Sequence, residues 1–313
     1  MSVPGGDPRE ALASSSSEVV RSWQRCQATY NLDPAQTWAA DVLSSMEFRY
    51  INERSAFLLS VAIPEMQRLY AMVRDLGLMV LLSDPQAVIL ARCIGENHKA
   101  VCRRLRLQEG AIWDEGAAGT NGVGTVLKDG CPITLTRGDH WRFCFSLLES
   151  HAAPIFGEHG QTLGVLNLAT FSTTTTRPLA PVLMETLCQA ARRIEEQILR
   201  NACPGQRIVA LGLAGGPSAP LVAMNDGGMV TGATRAARTL MGWPEKMDGT
   251  GPATVMKLSD GPMTFRMAEE QVVRTALSLA RGNVTNAARR LGISRATFYR
   301  KLKTFQTGGG QDC

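Results

Sequence analysis

The 313-residue sequence predicts an α+β fold with a separate all-α module near its C-terminal end. Three observations predict it. Apolar residues recur at helical spacing up to about residue 76, then give way to short β-rich runs, and return to helical spacing from residue 183. The short runs are joined by tight turn signals, which favour antiparallel pairing. Positive charge is concentrated in residues 281–303, which hold Arg281, Arg289, Arg290, Arg295, Arg300, Lys301 and Lys303 and no acidic side chain. With a net charge of +5 overall, those seven cations leave −2 for the remainder. A near-neutral body bearing one cationic segment suits a module that meets a polyanion.

In chain order, residues 1–17 are rich in Gly, Pro and Ser and are expected to be frayed. From Glu18 to Leu76 the pattern reads as helix, with Phe57, Leu58, Val61, Met66, Leu69, Met72 and Val73 on three- and four-residue spacings. Gly77–Ser83 and Ala87–Cys93 flank Asp84-Pro85-Gln86 and are expected to form a hairpin. Further strands are expected at Pro132–Thr136, Ala152–Phe156 and Thr162–Ala169, the last two joined by Gly157-Glu158-His159-Gly160. A polar connector, Ser172–Arg177, leads to a helix over Leu183–Arg200 with Leu187, Ala190, Ile194 and Ile198 on one stripe. That stripe approaches a heptad seam, so a homodimer is expected.

Ala202–Gly205 and Gly212–Pro220 mark a boundary. A small hairpin, Leu221–Asn225 and Met229–Thr231, and a helix over Ala233–Met241 follow, and residues 242–264 read as linker. The expected divisions are therefore 1–17, 18–200, 201–265 and 266–313. Composition is globular, with 44% hydrophobic and 19% charged residues, and no apolar run approaches the ~18 residues that a membrane span requires. The N-terminus has no basic and apolar leader pattern. The eight cysteines form no C-x-x-C pair, so reduced thiols and a cytoplasmic location are expected.

The strongest motif lies in residues 266–305. Val273, Ala276, Leu277 and Ala280 fall on one helical face before Gly282-Asn283. Thr285 is expected to cap a second helix over Asn286–Leu291, Gly292 to supply the corner, and Ser294 to cap a third helix running to about Phe305. Helix, tight turn and basic helix make a helix-turn-helix. On the third helix Phe298, Leu302 and Phe305 cluster towards a core. Ala296, Arg300 and Lys303 lie opposite, with Thr297 and Tyr299 on the flanks. Arg295 sits in the first turn, where a forked pair of hydrogen bonds to guanine is within reach and Ala296 or Thr297 can meet a thymine methyl. Arg289, Arg290, Lys301 and Lys303 are placed for phosphates.

Gly282–Phe305 resembles the DNA-binding helix-turn-helix of the Fis type over nearly every position of that motif. The resemblance implies DNA contacts at Asn283, Thr285, Ser294, Arg295, Thr297, Tyr299 and Arg300, which Ala296, Lys301 and Lys303 join from the helical-face argument. Upstream, Ser22–Cys26 with Asn31–Pro34, Gly110–Leu127, and His140-Trp141 with Ser150–Ile155 and Gly164–Leu168 are similar to the sensory region of the acetoin-catabolism-regulator family. This implies a GAF domain over residues 18–200, and Leu221–Trp243 resembles the truncated PAS-like segment that follows it there. The implied function is a bacterial transcription regulator that meets double-stranded DNA, RNA polymerase and a small-molecule effector, with no membrane association, no identified cofactor and no enzymatic activity. The alternatives are a DNA-binding accessory or dimerisation protein whose GAF domain takes no small ligand, and a GAF-type sulfoxide reductase using Cys93, Cys102 or Cys131.

Candidates to line the GAF pocket are Trp113, Asn121, His140, Trp141, Cys144 and His151. Gly119–Gly124 is a weak phosphate-loop pattern, better read as a packing turn with Thr120 as helix cap. His140, Cys144 and His151 are metal-ligand types, yet three scattered residues do not make a site, and no metal is assigned. Relatives commonly carry cysteine where His151 stands. They also carry an AAA+ ATPase domain between sensor and helix-turn-helix, whereas this sequence contains no Gly-Lys dipeptide and so no G-x-x-x-x-G-K-[ST] loop. A sensor joined directly to a DNA-binding module is therefore expected.

Overall fold

The structure is a computed structural model that describes residues 17–171, 175–211, 220–243, 272–273, 276–277, 280 and 283–307, with side chains as far as 302. The expectations for residues 1–16, for the middle of the 172–177 connector and for most of the 242–264 linker lie outside the described residues. The chain divides into two compact units, Met1–Met256 and Lys257–Cys313.

The larger unit opens with α1 (Ser17–Gln24), continued by a π-turn over Arg25–Thr29. Next come α2 (Ser45–Arg54) and α3 (Ala56–Val73), the first held by a Ser44–Glu47 capping box. The expected helix from Glu18 to Leu76 is thus interrupted over residues 30–44. Asn31 turns to a positive φ of 50°, Asp33 Oδ1 accepts from Ala35 N at 2.9 Å around Pro34, and Val42 bridges to Ala111.

The hairpin of β1 (Met79–Ser83) and β2 (Ile89–Cys93) forms where the turn signal placed it, with Asp84 Oδ1 accepting from Gln86 N and Val88 N. Helices α4 (Lys99–Leu105), α5 (Glu115–Ala118) and α6 (Gly122–Asp129) lead to β3 (Ile133–Leu135), β4 (Glu149–Phe156) and β5 (Thr162–Thr170). The sheet is antiparallel in the order β2-β1-β5-β4-β3. Strand β4 begins three residues before the expected Ala152, because Glu149, Ser150 and His151 are polar yet buried. Glu149 is compensated by Thr175 Oγ1 at 2.6 Å and Thr176 N at 2.7 Å.

Both faces of this sheet are covered, which is why β1 reads as a continuous apolar run rather than an alternation. On one face Val80, Leu82, Ile155, Leu166 and Leu168 pack against α3 and against α7 (Ala180–Ala202). On the other, Met79, Leu81, Ile89 and Ala169 pack against Trp113, Phe145, Leu105 and Val123. The stripe Leu183, Leu187, Ala190, Ile194 and Ile198 is at most 4% exposed and spent inside its own chain. It is therefore not a dimer seam.

A second, three-stranded sheet, β6-β7-β8, follows, made of β6 (Arg207–Ala210), β7 (Leu221–Met224) and β8 (Val230–Ala233), then α8 (Arg235–Met241). Strand β6 was not expected: only Ile208 and Val209 distinguish its four residues from a loop. In the smaller unit α9 (Val284–Arg290) and α10 (Arg295–Thr307) are joined through Gly292 at φ 65°. All seven described cysteines are free thiols. Among the described residues no helix is long and apolar enough to cross a membrane.

Candidate nucleic-acid interface and sensory site

The cap of α9 is Asn283, whose side chain accepts from Asn286 N at 3.1 Å, and not Thr285, which already lies inside the helix. An asparagine with extended backbone (ψ 100°) places its carbonyl over the first turn, a geometry Thr285 has given up by becoming helical. Ser294 caps α10 by accepting from Thr297 N at 3.1 Å. The unit's core holds Phe298, at 0% exposure, with Val273, Ala276, Ala287 and Ala288, and Leu302 packs against it. That burial fixes the outward face of α10. Arg295, Ala296, Tyr299 and Arg300 are exposed, while Thr297 and Lys301 are half-buried. The side chains of Lys303 and Phe305 lie outside the described residues. Asn283, Thr285 and Ser294 are also exposed, at the starts of the two helices. Helix N-termini with no acidic side chain in the first turn suit a phosphate backbone.

In the larger unit the glycine-rich segment 119–124 is a packing turn. Asn121, not Thr120, caps α6, with Oδ1 accepting from Gly124 N at 2.9 Å. A Cβ at Gly124 would overlap the backbone of Glu115, so only glycine lets α6 lie this close to α5. Thr120 is turned to another task. Its hydroxyl lies 2.7 Å from Ser22 Oγ, and Ser22 also donates to Glu115 Oε1 at 2.6 Å. Arg25 donates to both carboxylate oxygens of Glu115, at 2.6 and 2.9 Å, and to Asp129 at 2.9 Å. Burial pushes the Glu115 carboxyl up, but the hydrogen bonds from Arg25, Ser22 and Thr125 outweigh it and hold the group below its ordinary range. Trp23 Nε1 completes the clasp by donating to Asp139 O at 2.8 Å.

Of the six pocket candidates, Trp113 and Asn121 line one interior cavity, with Ser150, Asn167, Leu81 and Val123. Its volume is about 20 Å³, room for little more than one water molecule. The other four lie outside that lining. His140 is buried edge-on to Phe145, 6.2 Å between centroids, and burial lowers its pKa to about 3, so it is a neutral ring. Trp141 donates to Leu32 O at 3.2 Å and packs edge-on against Trp23. Cys144 is half-buried beside the Trp113 cluster. His151 faces Thr134 Oγ1 at 3.2 Å across the β3–β4 pair, and burial lowers its pKa. Packed aromatic rings account for the lost space: Trp113 stacks on Phe145 at 5.5 Å, and Trp38 meets both edge-on at 5.1 and 5.7 Å. Among the described residues no group of three His, Cys, Asp or Glu side chains is placed to hold a metal ion.

Two families match the chain: "MimR, N-terminal domain" over residues 6–196 and "Bacterial regulatory protein, Fis family" over residues 264–305. The chain is 29% identical over 243 residues to the acetoin catabolism regulatory protein of Cupriavidus necator, covering 76% of this chain and 36% of that protein. It is 26% identical over 193 residues to the propane 2-monooxygenase operon transcriptional activator MimR of Mycolicibacterium smegmatis, covering 60% of this chain and 30% of that one. The chain thus spans about a third of the length of the curated relatives it matches. In fold it is similar to the Escherichia coli DhaR(N)–DhaL complex structure, with a TM-score of 0.53 and 17% identity over 76% of this chain and 79% of that one.

Proposed function

Because this chain belongs to the MimR N-terminal domain family, which matches more than half its length, we propose that it is a transcription regulator whose larger unit is a GAF-like sensor and whose smaller unit reads duplex DNA. The observation that carries this reading is α10, a helix with Phe298 sunk in a core and Arg295, Ala296, Tyr299 and Arg300 turned outward, inside the segment matched by the Fis family. Arg295 meets guanine edges; Ala296, Thr297 and Tyr299 meet base edges or methyl groups; Asn283, Thr285, Ser294, Arg300, Lys301 and Lys303 hold the phosphate backbone. Two copies bind paired half-sites, through a dimer made by surfaces other than the buried Leu183–Ile198 stripe.

The test is a salt series of binding to a selected operator and to random duplex. Arg295→Ala is expected to lose about 1–3 kcal/mol on the operator and to relax sequence choice at one position. Lys301→Ala is expected to weaken both duplexes evenly and to flatten the salt dependence by about one counterion. Two variants indistinguishable from the parent across the series would overturn the assignment of α10.

The regulator works without ATP-driven remodelling. The lack of a G-x-x-x-x-G-K-[ST] loop in this sequence supports a regulator that recruits polymerase needing no such activator, or that represses. Purified full chain is expected to show no stimulated ATP hydrolysis in the presence of operator DNA; robust turnover would refute this. The relatives are named as a regulatory protein and a transcriptional activator, which supports a regulator rather than an enzyme.

A second reading has its own support. A cavity of about 20 Å³ leaves no room for an organic effector among Trp113, Asn121 and Asn167. A DNA-binding accessory protein whose GAF-like interior takes no ligand fits that volume.

A further inference from the structure

A second concavity lies within the larger unit, where β4 and α7 face α8. Its volume is about 460 Å³, within the range of small-molecule sites. Its apolar wall is made by Ala153, Pro154, Phe156, Cys188, Ala191 and Ala236. Its polar groups are few and converge: the Glu195 carboxyl from α7, Arg192 one turn before it, and Arg235 from the start of α8. Arg235 stands 4.1 Å above the Phe156 ring and donates to Gly130 O at 2.9 Å, so its guanidinium is fixed in place. Glu195 is 7% exposed, and Phe156 N donates to its Oε1 at 3.0 Å.

We propose that this groove, rather than the GAF-like interior, is the effector site, and that it takes a small organic carboxylate with an apolar tail. The inference rests on reading the larger unit as a sensor. The guanidinium of Arg235 is fixed, and that of Arg192 stands 3.9 Å from Glu185 at the rim; with Glu195 protonated the pair leaves net positive charge in the groove and selects an anion. The apolar wall takes the tail. Glu195 supplies the hydrogen bond that a second carboxylate needs, by being protonated when the ligand is bound.

Burial pushes the Glu195 carboxyl up to about 7, against the Phe156 N–H and the charges of Arg235 and Arg192. Among the other carboxylates, Glu185 on α7 stands 3.9 Å from Arg192, and Glu65 on α3 is already held by Arg193 at 2.8 Å. Binding of an anion beside Glu195 therefore takes up a proton. Affinity is highest at low pH and falls as pH rises through 7. Between about pH 6 and about pH 8 it should drop about tenfold, following the protonated fraction.

The experiment uses the full chain with sodium hexanoate as probe, and 1-hexanol and hexylamine of the same length as comparisons, in titration calorimetry. Expected is saturable binding of hexanoate well ahead of both comparisons. Glu195→Gln is expected to bind with little pH dependence, Ala236→Trp to weaken binding about tenfold or more by filling the groove, and hexanoate to protect Cys188 from alkylation in peptide mapping. Protection of Cys188 does not depend on any variant folding. Hexanol or hexylamine binding as tightly as hexanoate would overturn the ligand class. Undiminished binding to Ala236→Trp with Cys188 unprotected would overturn the site. Absence of saturable binding would overturn both. Hexanoate that binds as expected yet leaves operator affinity unchanged keeps the site and rejects the sensor reading, so the two failures are distinguishable.

Discussion

Replacing Arg25 by alanine is expected to destabilise the larger unit by about 3–5 kcal/mol, the usual cost of stripping a buried charge of its partner. Glu115 has no exposed side-chain surface and holds a forked pair of bonds from Arg25 at 2.6 and 2.9 Å. Without Arg25 the carboxylate keeps the hydroxyls of Ser22 and Thr125 and a long bond from the Tyr30 hydroxyl at 3.5 Å. It must then be protonated or draw in water, and α1 loses its main anchor to α5 and α6. Urea unfolding followed by tryptophan fluorescence, to which Trp23, Trp38, Trp113 and Trp141 of the larger unit contribute, measures the loss. The sign with pH is also fixed. A carboxyl held below its ordinary range contributes stability above its unfolded pKa, and that contribution fades as pH falls through the folded value. In the Arg25→Ala protein this acid-side dependence should shrink. The double variant Arg25→Ala/Glu115→Gln should recover part of the stability, because the stranded charge is gone. A double variant less stable than Arg25→Ala by the full cost of Glu115→Gln alone would show the two residues to be uncoupled and the clasp energetically idle.

Phe298→Ala should abolish DNA binding without touching a single DNA-contacting side chain. Phe298 is fully buried among Val273, Ala276, Ala287 and Ala288, and truncating a buried phenylalanine costs about 3–5 kcal/mol. A core this small supplies roughly the same amount, so the smaller unit should unfold. The larger unit has its own core and should keep its unfolding transition. Tyr299→Ala is the comparison: at 54% exposure it should leave the helices folded and affect only contact with DNA. Circular dichroism of the full chain, with operator binding on the same samples, separates these outcomes. Wild-type operator affinity in Phe298→Ala would mean that α10 is not held by this core.

Much of the fold was legible because its signals are local. The β1–β2 turn is written in Asp84-Pro85-Gln86, and most of α7 in its apolar stripe, which reads as Leu183–Arg200 where the helix runs Ala180–Ala202. The two faces of α10 follow from 100° per residue, whatever else the chain does. Failures occurred where a local pattern was overruled. Residues 30–44 break a helical reading because one positive φ and one proline turn cost less than they gain by seating Val42 against Ala111. The caps moved by one or two residues, from Thr120 to Asn121 and from Thr285 to Asn283, since several capping residue types stood side by side. Glu195 was legible in principle: it sits between Ala191 and Ile198 on the buried stripe of α7, where a carboxyl is out of place.

Most element types, the antiparallel hairpins and the helix-turn-helix with its outward cations were readable along the chain, since each depends on residues a few positions apart; the break at 30–44 and strand β6 were not. Three-dimensional packing settled that Glu115 meets Arg25 from 90 positions away, that aromatic rings fill the GAF-like interior down to about 20 Å³, and that Arg235 and Glu195 line one groove. Periodicity tells which face of an element turns inward. How closely two inward faces approach is set by the packing of whole side chains, and no spacing along the chain encodes it.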